Sequence, residues 1–228
     1  MKLILFDIDG TLTDTFTIDG ECFLQALRLE FGIEDVSRDW SSYPDTTDSA
    51  IFGDVFQSRF ARGPTEDETA RMKDRFRGLL ATELQRNPEL CRPIAGGVRF
   101  FETLVGDRRA AVGIATGGWE CVAALKLQAA GYARRDLPLA TADDSPRRVE
   151  ICSTAVARAR EYHRVSGFAE IVYFGDGVWD AQAARELGYR FIGRAYDGSA
   201  FAGFEPEFVT RDFTDPRLLE RVLRRSAG

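Results

Sequence analysis

The sequence lacks several features that mark membrane, secreted and nucleic-acid-binding proteins. No apolar stretch approaches the roughly 18 residues that a transmembrane helix requires, and Asp7 comes too early for a secretory signal. The four cysteines form no CxxC pair, which is typical of reduced thiols in the cytoplasm. The net charge of −6 lacks the excess of Lys and Arg that a phosphate backbone demands. We therefore expect a cytoplasmic protein that binds neither nucleic acid nor membrane, of unknown oligomeric state.

The 228 residues, 44% of them hydrophobic, can bury a full core in one large domain or in a domain with an insertion. Four apolar runs have strand length, and each is followed by a turn and a helical pattern. These runs are Leu3–Phe6, Ala110–Ala115, Ile171–Phe174 and Arg190–Ile192, with weaker ones at Leu137–Ala140 and Glu207–Thr210. Because the runs show little alternation, they predict an α/β fold whose doubly wound parallel sheet is covered on both faces.

Between the first two strands, the segment 15–90 has helical periodicity three times over. The apolar positions are Phe23, Leu27 and Phe31, then Phe52, Phe56 and Phe60, then Met72, Phe76 and Leu80. Thr65 and Glu68 have the spacing of a capping box before the third helix. We expect an all-helical domain at 15–90, inserted into a core domain formed by 1–14 and 91–228. In the core, further helices are predicted near Gly97–Val105, Trp119–Ala130, Val149–Tyr162 and Asp215–Arg224.

A first polar motif runs from Asp7 to Thr13, directly after the first predicted strand. Ligands bind beyond the carboxyl ends of parallel strands, so the motif lies where a site is expected. Asp7 and Asp9 would repel each other, and a divalent cation between them removes that cost. Their hard oxygen atoms suit magnesium, and Gly10 would let the backbone turn sharply away. An acidic turn with a side-chain hydrogen bond is the structural alternative.

Two further motifs also follow predicted strands. The hydroxyl of Thr116 can donate to a phosphate oxygen, and the amides of Gly117 and Gly118 can add to it near a helix N-terminus. Asp176 and Asp180 stand four residues apart at a helix start, so both can face one cavity, one binding a metal and the other supporting it. An ordinary helix start and an N-cap aspartate are the respective alternatives.

Together the three motifs resemble the signature of the haloacid dehalogenase superfamily, which has DxDGT, a strand-end Ser or Thr, and GDxxxD in this order. The likeness runs from Asp7 to Asp180 and so covers nearly the whole chain. The helical segment falls where that family carries a small helical cap. The runs Ala115 to Trp119 and Gly175 to Asp180 are most similar to phosphoglycolate-phosphatase-like hydrolases. The resemblance therefore implies a Rossmann-like core with an inserted cap.

The same resemblance implies an Mg²⁺-dependent phosphatase acting on a small phosphorylated metabolite. Asp7 would attack phosphorus and form an aspartyl-phosphate, while Asp9 would protonate the leaving oxygen and then activate water. The metal would be held by Asp7, the backbone carbonyl of Asp9 and Asp176, with Asp180 supporting them. The phosphate-binding residues would be Thr116, Gly117 and Arg148.

The family needs a cation between the second and last motifs, usually a lysine, but the stretch Asp143 to Ile151 contains none. Arg147 or Arg148 must supply the charge. We favour Arg148, one residue ahead of the predicted helix, because an arginine fork can contact both the phosphate and Asp7. A solvated arginine pair at a helix start is the alternative for either residue.

The motif residues argue against some other functions and leave others open. Dehalogenation needs neither Asp9 nor magnesium, so Asp9 argues against it. A receiver-like signalling domain would have neither the large helical insertion nor the late GDxxxD motif. A phosphomutase uses the same two carboxylates and stays open, as does a catalytically silent phospho-ligand-binding protein, although that protein should have lost some of these acids. The substrate itself is unreadable, and phosphoglycolate, sugar phosphates and nucleotides are all open.

Residues outside the motifs have mostly structural interpretations. Trp119 and Trp179 are expected to pack at the junction of the two domains, and His163, the single histidine, to lie at a helix end. The polar stretch from Tyr43 to Asp48 either faces the substrate or caps the following helix through Asp48.

Overall fold

The computed structural model describes residues 1–132, 136–195, 198–201 and 203–224. Its strands are β1 (Lys2–Phe6), β2 (Thr13–Asp14), β3 (Arg92–Pro93), β4 (Ala110–Ala115), β5 (Leu139–Ala140), β6 (Ile171–Gly175), β7 (Arg190–Arg194) and β8 (Phe208–Thr210). Its α-helices are α1 (Phe16–Phe31), α2 (Asp48–Phe60), α3 (Glu66–Arg86), α4 (Gly97–Gly106), α5 (Glu120–Ala129), α6 (Arg148–His163), α7 (Val178–Leu187) and α8 (Leu218–Leu223).

Six strands form one parallel sheet in the order β5-β4-β1-β6-β7-β8. β1 lies at the centre, and the chain winds outward from it in both directions, which makes β1 and its two neighbours a topological switch point. The predicted α/β class, with a doubly wound parallel sheet and a helical insertion, is confirmed.

The central strand shows why the sheet needs cover on both faces. All five residues of β1 are buried, and successive side chains point to opposite faces. Ile4 and Phe6 join the larger apolar cluster, which includes α4 and α5. Leu3 and Leu5 join a second cluster with α6 and α7. A strand sandwiched in this way has an unbroken apolar sequence, which is what made it predictable.

The helices α1, α2 and α3 lie between the short strands β2 and β3, and we call residues 15–90 the helical insert. β2 and β3 pair antiparallel, with Thr13 opposite Pro93 and Asp14 opposite Arg92, so the two ends of the insert leave the core side by side. Helix α3 begins with the predicted capping box between Thr65 and Glu68. Most of the predicted apolar positions of the insert are core: Phe52, Phe56 and Phe76 are fully buried, whereas Phe60 is 43% exposed.

Most differences from the predicted elements are at their ends. The last helix is shorter than expected, spanning Leu218–Leu223 rather than Asp215–Arg224, and β5 keeps only Leu139–Ala140. β2 and β3 were not predicted, because two-residue strands formed by remote segments leave no local pattern. Among the described residues, no helix is both long and apolar enough to cross a bilayer.

Candidate active site

Three of the predicted motifs meet at the carboxyl edge of the sheet because their strands are parallel neighbours. Asp7 follows β1, Thr116 follows β4, and Asp176 follows β6. The backbone N–H of Asp7 continues the ladder by donating to the carbonyl of Phe174 at 2.9 Å. The three motifs, which are far apart in the sequence, therefore lie along one rim of the sheet, as their positions at strand ends predicted.

Three carboxylates crowd together at this rim. Asp7, Asp176 and Asp180 each offer an oxygen, and these oxygens lie within 4.8 Å of one another. Burial, together with repulsion from Asp180, raises the pKa of Asp7 well above its ordinary value, although Arg148 opposes the shift. Burial and the charge of Asp7 likewise raise the pKa of Asp176. A divalent cation would relieve this repulsion, and an all-oxygen donor set suits a hard metal ion such as Mg²⁺.

Gly10 makes the approach of Asp176 possible. Its φ of 75° lies in the left-handed region, which glycine adopts without strain. A Cβ at this position would lie 1.8 Å from Oδ2 of Asp176. Both the backbone turn and the space for the Asp176 carboxylate therefore require glycine here.

Arg148 is the arginine that enters the site. Its side chain is 7% exposed, and Nη1 lies 3.0 Å from Oδ1 of Asp7 and 3.3 Å from Oδ1 of Asp180. Nη2 donates to the carbonyl of Thr46 in the helical insert at 2.9 Å. By contrast, the side chain of Arg147 is 54% exposed and pairs with Glu150. Burial works against the charged guanidinium, but the charges of Asp180 and Asp7 outweigh it, so the pKa of Arg148 is raised.

Both oxygens of Asp180 already accept hydrogen bonds. Its Oδ1 accepts from the hydroxyl of Tyr173 at 2.8 Å, and its Oδ2 accepts from the backbone N–H of Gly177 at 3.2 Å. The carboxylate is fully buried and also faces Arg148. Its geometry therefore suits a group that holds Arg148 in place beside Asp7.

The carboxylate of Asp9 points away from this cluster and is held at both oxygens. Oδ1 accepts from the hydroxyl of Thr15 at 2.5 Å, and Oδ2 accepts from the ammonium of Lys126 at 2.5 Å. Lys126 also donates to Oδ1 of Asp19, on the first helix of the insert, at 2.7 Å. Burial alone would lower the pKa of Lys126, but Asp19, Asp9 and Asp48 together raise it. The pKa of Asp19 rises to about 6, chiefly through burial and the nearby charge of Asp9.

The loop before α2 and the first residue of that helix, Asp48, close the site from the insert side. The N–H of Asp48 donates to the carbonyl of Gly117 at 2.8 Å, and its carboxylate accepts from the backbone N–H of Trp119 at 2.8 Å. The expectation that Asp48 caps α2 is wrong: Thr47 is the N-cap, and its hydroxyl accepts from the N–H of Ala50. The loop faces the site instead, which was the other interpretation.

The rim and the insert enclose a cavity of about 80 Å³. Its lining includes every predicted site residue except Asp180, which lies behind Arg148 and Asp7. The predicted residues that line it are Asp7, Asp9, Thr116, Gly117, Arg148 and Asp176. Apolar and aromatic side chains from the insert form much of the opposite wall: Phe16, Phe23, Trp40 and Ile51.

The sequence analysis missed two polar residues of this region, Asp19 and Lys126, and it gave Asp48 only within a stretch that faces the substrate or caps a helix. For Lys126 a signal was present. The buried residues of α5 are Val122, Ala123, Lys126 and Leu127, so the lysine occupies an apolar-face position of a predicted helix. Lysine is almost never fully buried unless it is paired, and that conflict pointed to an acidic partner.

The family model for haloacid dehalogenase-like hydrolases matches residues 1–188. The chain belongs to this family. The resemblance drawn from the motifs is thereby confirmed, and the chain is a hydrolase. No curated protein matches it in sequence.

Solved structures of this hydrolase fold are similar over almost the full chain. A hydrolase from Pseudomonas syringae is 21% identical with a TM-score of 0.72, over 97% of this chain and 98% of that one. A predicted phosphoglycolate phosphatase from Haemophilus somnus is 19% identical with a TM-score of 0.64, over 97% and 98%. A putative β-phosphoglucomutase from Bacteroides vulgatus is 16% identical with a TM-score of 0.67, over 98% and 88%. At these identities the likeness establishes the fold alone.

Proposed function

We propose that this hydrolase is an Mg²⁺-dependent phosphatase that hydrolyses a small phosphate monoester through an aspartyl-phosphate on Asp7. The observation that carries the proposal is the convergence of Asp7, Asp176 and Asp180 around one point, with Arg148 on the Asp7 carboxylate. Phosphoryl transfer needs chiefly positioning and charge neutralisation. An arginine and a divalent cation on either side of a nucleophilic carboxylate supply both.

Asp7, Asp176 and the backbone carbonyl of Asp9 would hold the metal ion, with Asp180 supporting them. When bound, Mg²⁺ neutralises charge on the phosphate and on the carboxylates that repel each other here. The raised pKa values of Asp7 and Asp176 support this assignment, because carboxylates buried beside one another prefer to be protonated unless a further cation offsets their charges.

Asp7 is the proposed nucleophile, because its carboxylate lies at the strand end beside Arg148. As the bond from Asp7 to phosphorus forms, the ester bond to the leaving oxygen breaks, and Asp9 gives that oxygen its proton. Asp9 then takes a proton from the water that attacks the aspartyl-phosphate, which releases inorganic phosphate. Asp9 lies on the cavity wall, so it can face both the leaving group and the incoming water.

The remaining phosphate oxygens would be bound by three groups. The hydroxyl oxygen of Thr116 accepts from the N–H of Gly118 at 3.2 Å, so its O–H can donate to phosphate. The amide of Gly117 and the guanidinium of Arg148 provide further donors. At Gly117 a Cβ would lie 2.5 Å from Nη2 of Arg148, so a larger residue would displace the arginine.

We propose that residues 15–90 act as a cap domain over a core of residues 1–14 and 91–228. The insert supplies one wall of the cavity, and its contacts with Gly117, Trp119 and Arg148 hold that wall against the core. Closure of such a cap excludes bulk water from the aspartyl-phosphate and selects the organic part of the substrate. The cytoplasm is the proposed compartment, consistent with four free cysteines.

The proposal is tested by assaying phosphate release from p-nitrophenyl phosphate and a panel of alkyl, sugar and nucleotide monophosphates, with and without Mg²⁺. We expect turnover of at least one ester that depends on Mg²⁺ and disappears in Asp7→Asn. Turnover that survives in Asp7→Asn would show that another group attacks phosphorus. No turnover across the panel would favour a silent phospho-ligand-binding protein.

A phosphomutase is the second candidate, because a mutase needs the same two carboxylates and a closed cavity. One of the similar structures is named as a putative β-phosphoglucomutase, which supports a mutase as the second candidate. The two reactions separate on their products. A mutase converts a sugar phosphate into its isomer through a bisphosphorylated intermediate that can be trapped. A phosphatase releases inorganic phosphate instead.

A further inference from the structure

Lys126 is the least expected residue of the site. It lies in the middle of α5, a helix of the core, yet its side chain is completely buried. Its ammonium bridges two carboxylates that come from different parts of the chain. Asp9 belongs to the core rim, at 2.5 Å, and Asp19 belongs to α1 of the helical insert, at 2.7 Å.

A buried ion pair is a poor way to stabilise a fold. Taking an ammonium and a carboxylate out of water carries a large desolvation penalty, so such a pair is often no more stabilising than well-packed apolar residues. The neighbouring buried positions of α5, Val122, Ala123 and Leu127, are apolar. An apolar residue at 126 would complete the same face, which suggests that the charge serves the site.

The ammonium of Lys126 helps to fix the orientation of the Asp9 carboxylate, which accepts two hydrogen bonds. Oδ1 is bound by Thr15 and Oδ2 by Lys126, so the carboxylate is anchored at both ends. Two anchors fix both torsions of the aspartate side chain and thereby the plane of the carboxylate. The remaining lone pairs and the 17% exposed surface of Asp9 are then presented to the cavity in one orientation.

We propose that Lys126 is a positioning residue that fixes the general acid Asp9, and that its bond to Asp19 makes this position depend on the docked insert. The inference rests on the proposed function, since it concerns the residue that protonates the leaving group. Without Asp19 beside it, the ammonium has one fewer partner and Asp9 loses a rigid anchor. The acid is then fully positioned only while the insert covers the site.

For this step Asp9 is a carboxylic acid, which still has a lone pair on each oxygen for the bonds from Thr15 and Lys126. Its proton is the one that it takes from water in the preceding turnover, and this proton moves to the ester oxygen as that oxygen's bond to phosphorus breaks and the bond from Asp7 forms. Lys126 keeps all of its protons and only donates hydrogen bonds, so it does not itself react. Its contribution is orientation, and a misplacement of a reacting group by about 1 Å can lower a rate about 100-fold.

The experiment compares kcat/KM on two esters in wild type and Lys126→Met. An alkyl phosphate from the panel has a strongly basic leaving oxygen that needs a proton, whereas p-nitrophenolate leaves with little help. kcat/KM reports only the steps up to transfer onto Asp7, which isolates the acid role of Asp9. We expect a loss of about 10- to 100-fold on the alkyl ester, and a change of at most a few-fold on p-nitrophenyl phosphate.

Two further variants separate positioning from a structural defect. The double variant Lys126→Met/Asp19→Asn removes the ammonium together with one of the two carboxylates that it binds. The buried charges then stay better balanced, which guards against misfolding. Asp19→Asn alone is the reference for the double variant. The selective loss should persist in the double variant. Adding Lys126→Met to Asp9→Asn should change the alkyl rate little further, because both substitutions remove the same function.

Equal losses on the two esters, or full additivity with Asp9→Asn, would overturn the role of Lys126 and leave the phosphatase proposal standing. Absence of wild-type turnover on the whole panel would instead defeat the proposed function. The two failures are therefore distinguishable in one set of assays.

Discussion

The carboxylate of Asp48 accepts a hydrogen bond of 2.8 Å from the backbone N–H of Trp119. Asp48 begins α2 of the insert, and Trp119 immediately precedes α5 of the core. The indole of Trp119 is fully buried and stacks on Phe23 of the insert. Trp119 of the core therefore packs its side chain against the insert, and Asp48 of the insert accepts the hydrogen bond from the Trp119 backbone N–H.

The next residue, Ser49, provides a test of this docking. Its hydroxyl donates to the carbonyl of Ala142 and accepts from the indole N–H of Trp119, both at 2.7 Å. Ser49→Ala leaves these partners unpaired at a cost of about 1–3 kcal/mol. We expect KM to rise about 3- to 10-fold with a smaller change in kcat, measured by steady-state kinetics. Ser58→Ala, exposed on the same helix, is the control and should leave KM unchanged.

The two adjacent arginines should differ sharply in their effect on stability. Arg148→Met leaves Asp7 and Asp180 facing each other in a buried site, and breaking such a contact costs roughly 3 kcal/mol. Arg147→Met removes only an exposed, solvent-screened pair with Glu150, so its loss of stability should be much the smaller. Urea denaturation measures both free energies of unfolding. Similar losses in the two variants would contradict the burial of Arg148.

The sequence predicted the fold and the rim well because both depend on local patterns. Strands buried on two faces have uninterrupted apolar sequences, as β1 does. Polar motifs at the ends of neighbouring parallel strands share one edge of the sheet. Their positions in the sequence therefore predict that Asp7, Thr116 and Asp176 lie close together. Helix α6 begins at Arg148, one residue before the start expected near Val149, and it is Arg148 rather than Arg147 that faces Asp7.

Gly10 can be compared with another glycine of similar backbone conformation. Gly32 also has a positive φ, 65°, but a Cβ there meets nothing within 4 Å. Gly32→Ala should cost about 1–2 kcal/mol of stability through backbone strain alone and leave Mg²⁺ activation unchanged. Gly10→Ala adds a clash with Asp176, so we expect Mg²⁺ affinity to fall more than about tenfold, read from an Mg²⁺ titration of activity. Equal Mg²⁺ affinities in the two variants would place the metal elsewhere.

Stability should depend on pH and on Mg²⁺ together. A carboxyl group whose pKa is raised by folding adds stability below its ordinary pKa and loses it as the pH rises through the raised value. Asp7 and Asp176 behave in this way, so the metal-free protein should lose their contribution as the pH rises above about 4. Mg²⁺ binds the deprotonated forms and should restore stability near neutral pH.

The measurement is the rise in Tm on adding Mg²⁺ at about 100 times its Kd, which corresponds to about 5 to 10 °C for a chain of this size. The rise should be present at about pH 8 and much smaller at about pH 5, where protons compete with the metal. Asp176→Asn is the control, and its Tm should respond little at either pH. An equal rise in that variant would show that Mg²⁺ binds outside the rim.

The residues that sequence analysis missed depend on tertiary contacts. Asp19 and Lys126 are 107 positions apart and lie on different helices, so no local pattern links them. The role of Thr47 as the N-cap of α2, in place of Asp48, was also hidden, because the Trp119 amide claims the Asp48 carboxylate. Buried polar partners across an insertion are set by docking, and docking geometry is not encoded in periodicity.

The most direct test of the account is to trap the phosphorylated enzyme. Asp9→Asn with Mg²⁺ and p-nitrophenyl phosphate should form the aspartyl-phosphate but hydrolyse it slowly, because the base that activates water is gone. After acid quenching, peptide mass spectrometry should find one phosphoryl group, on Asp7. A phosphoryl group on any other residue, or none while wild type releases phosphate, would contradict the central role of Asp7.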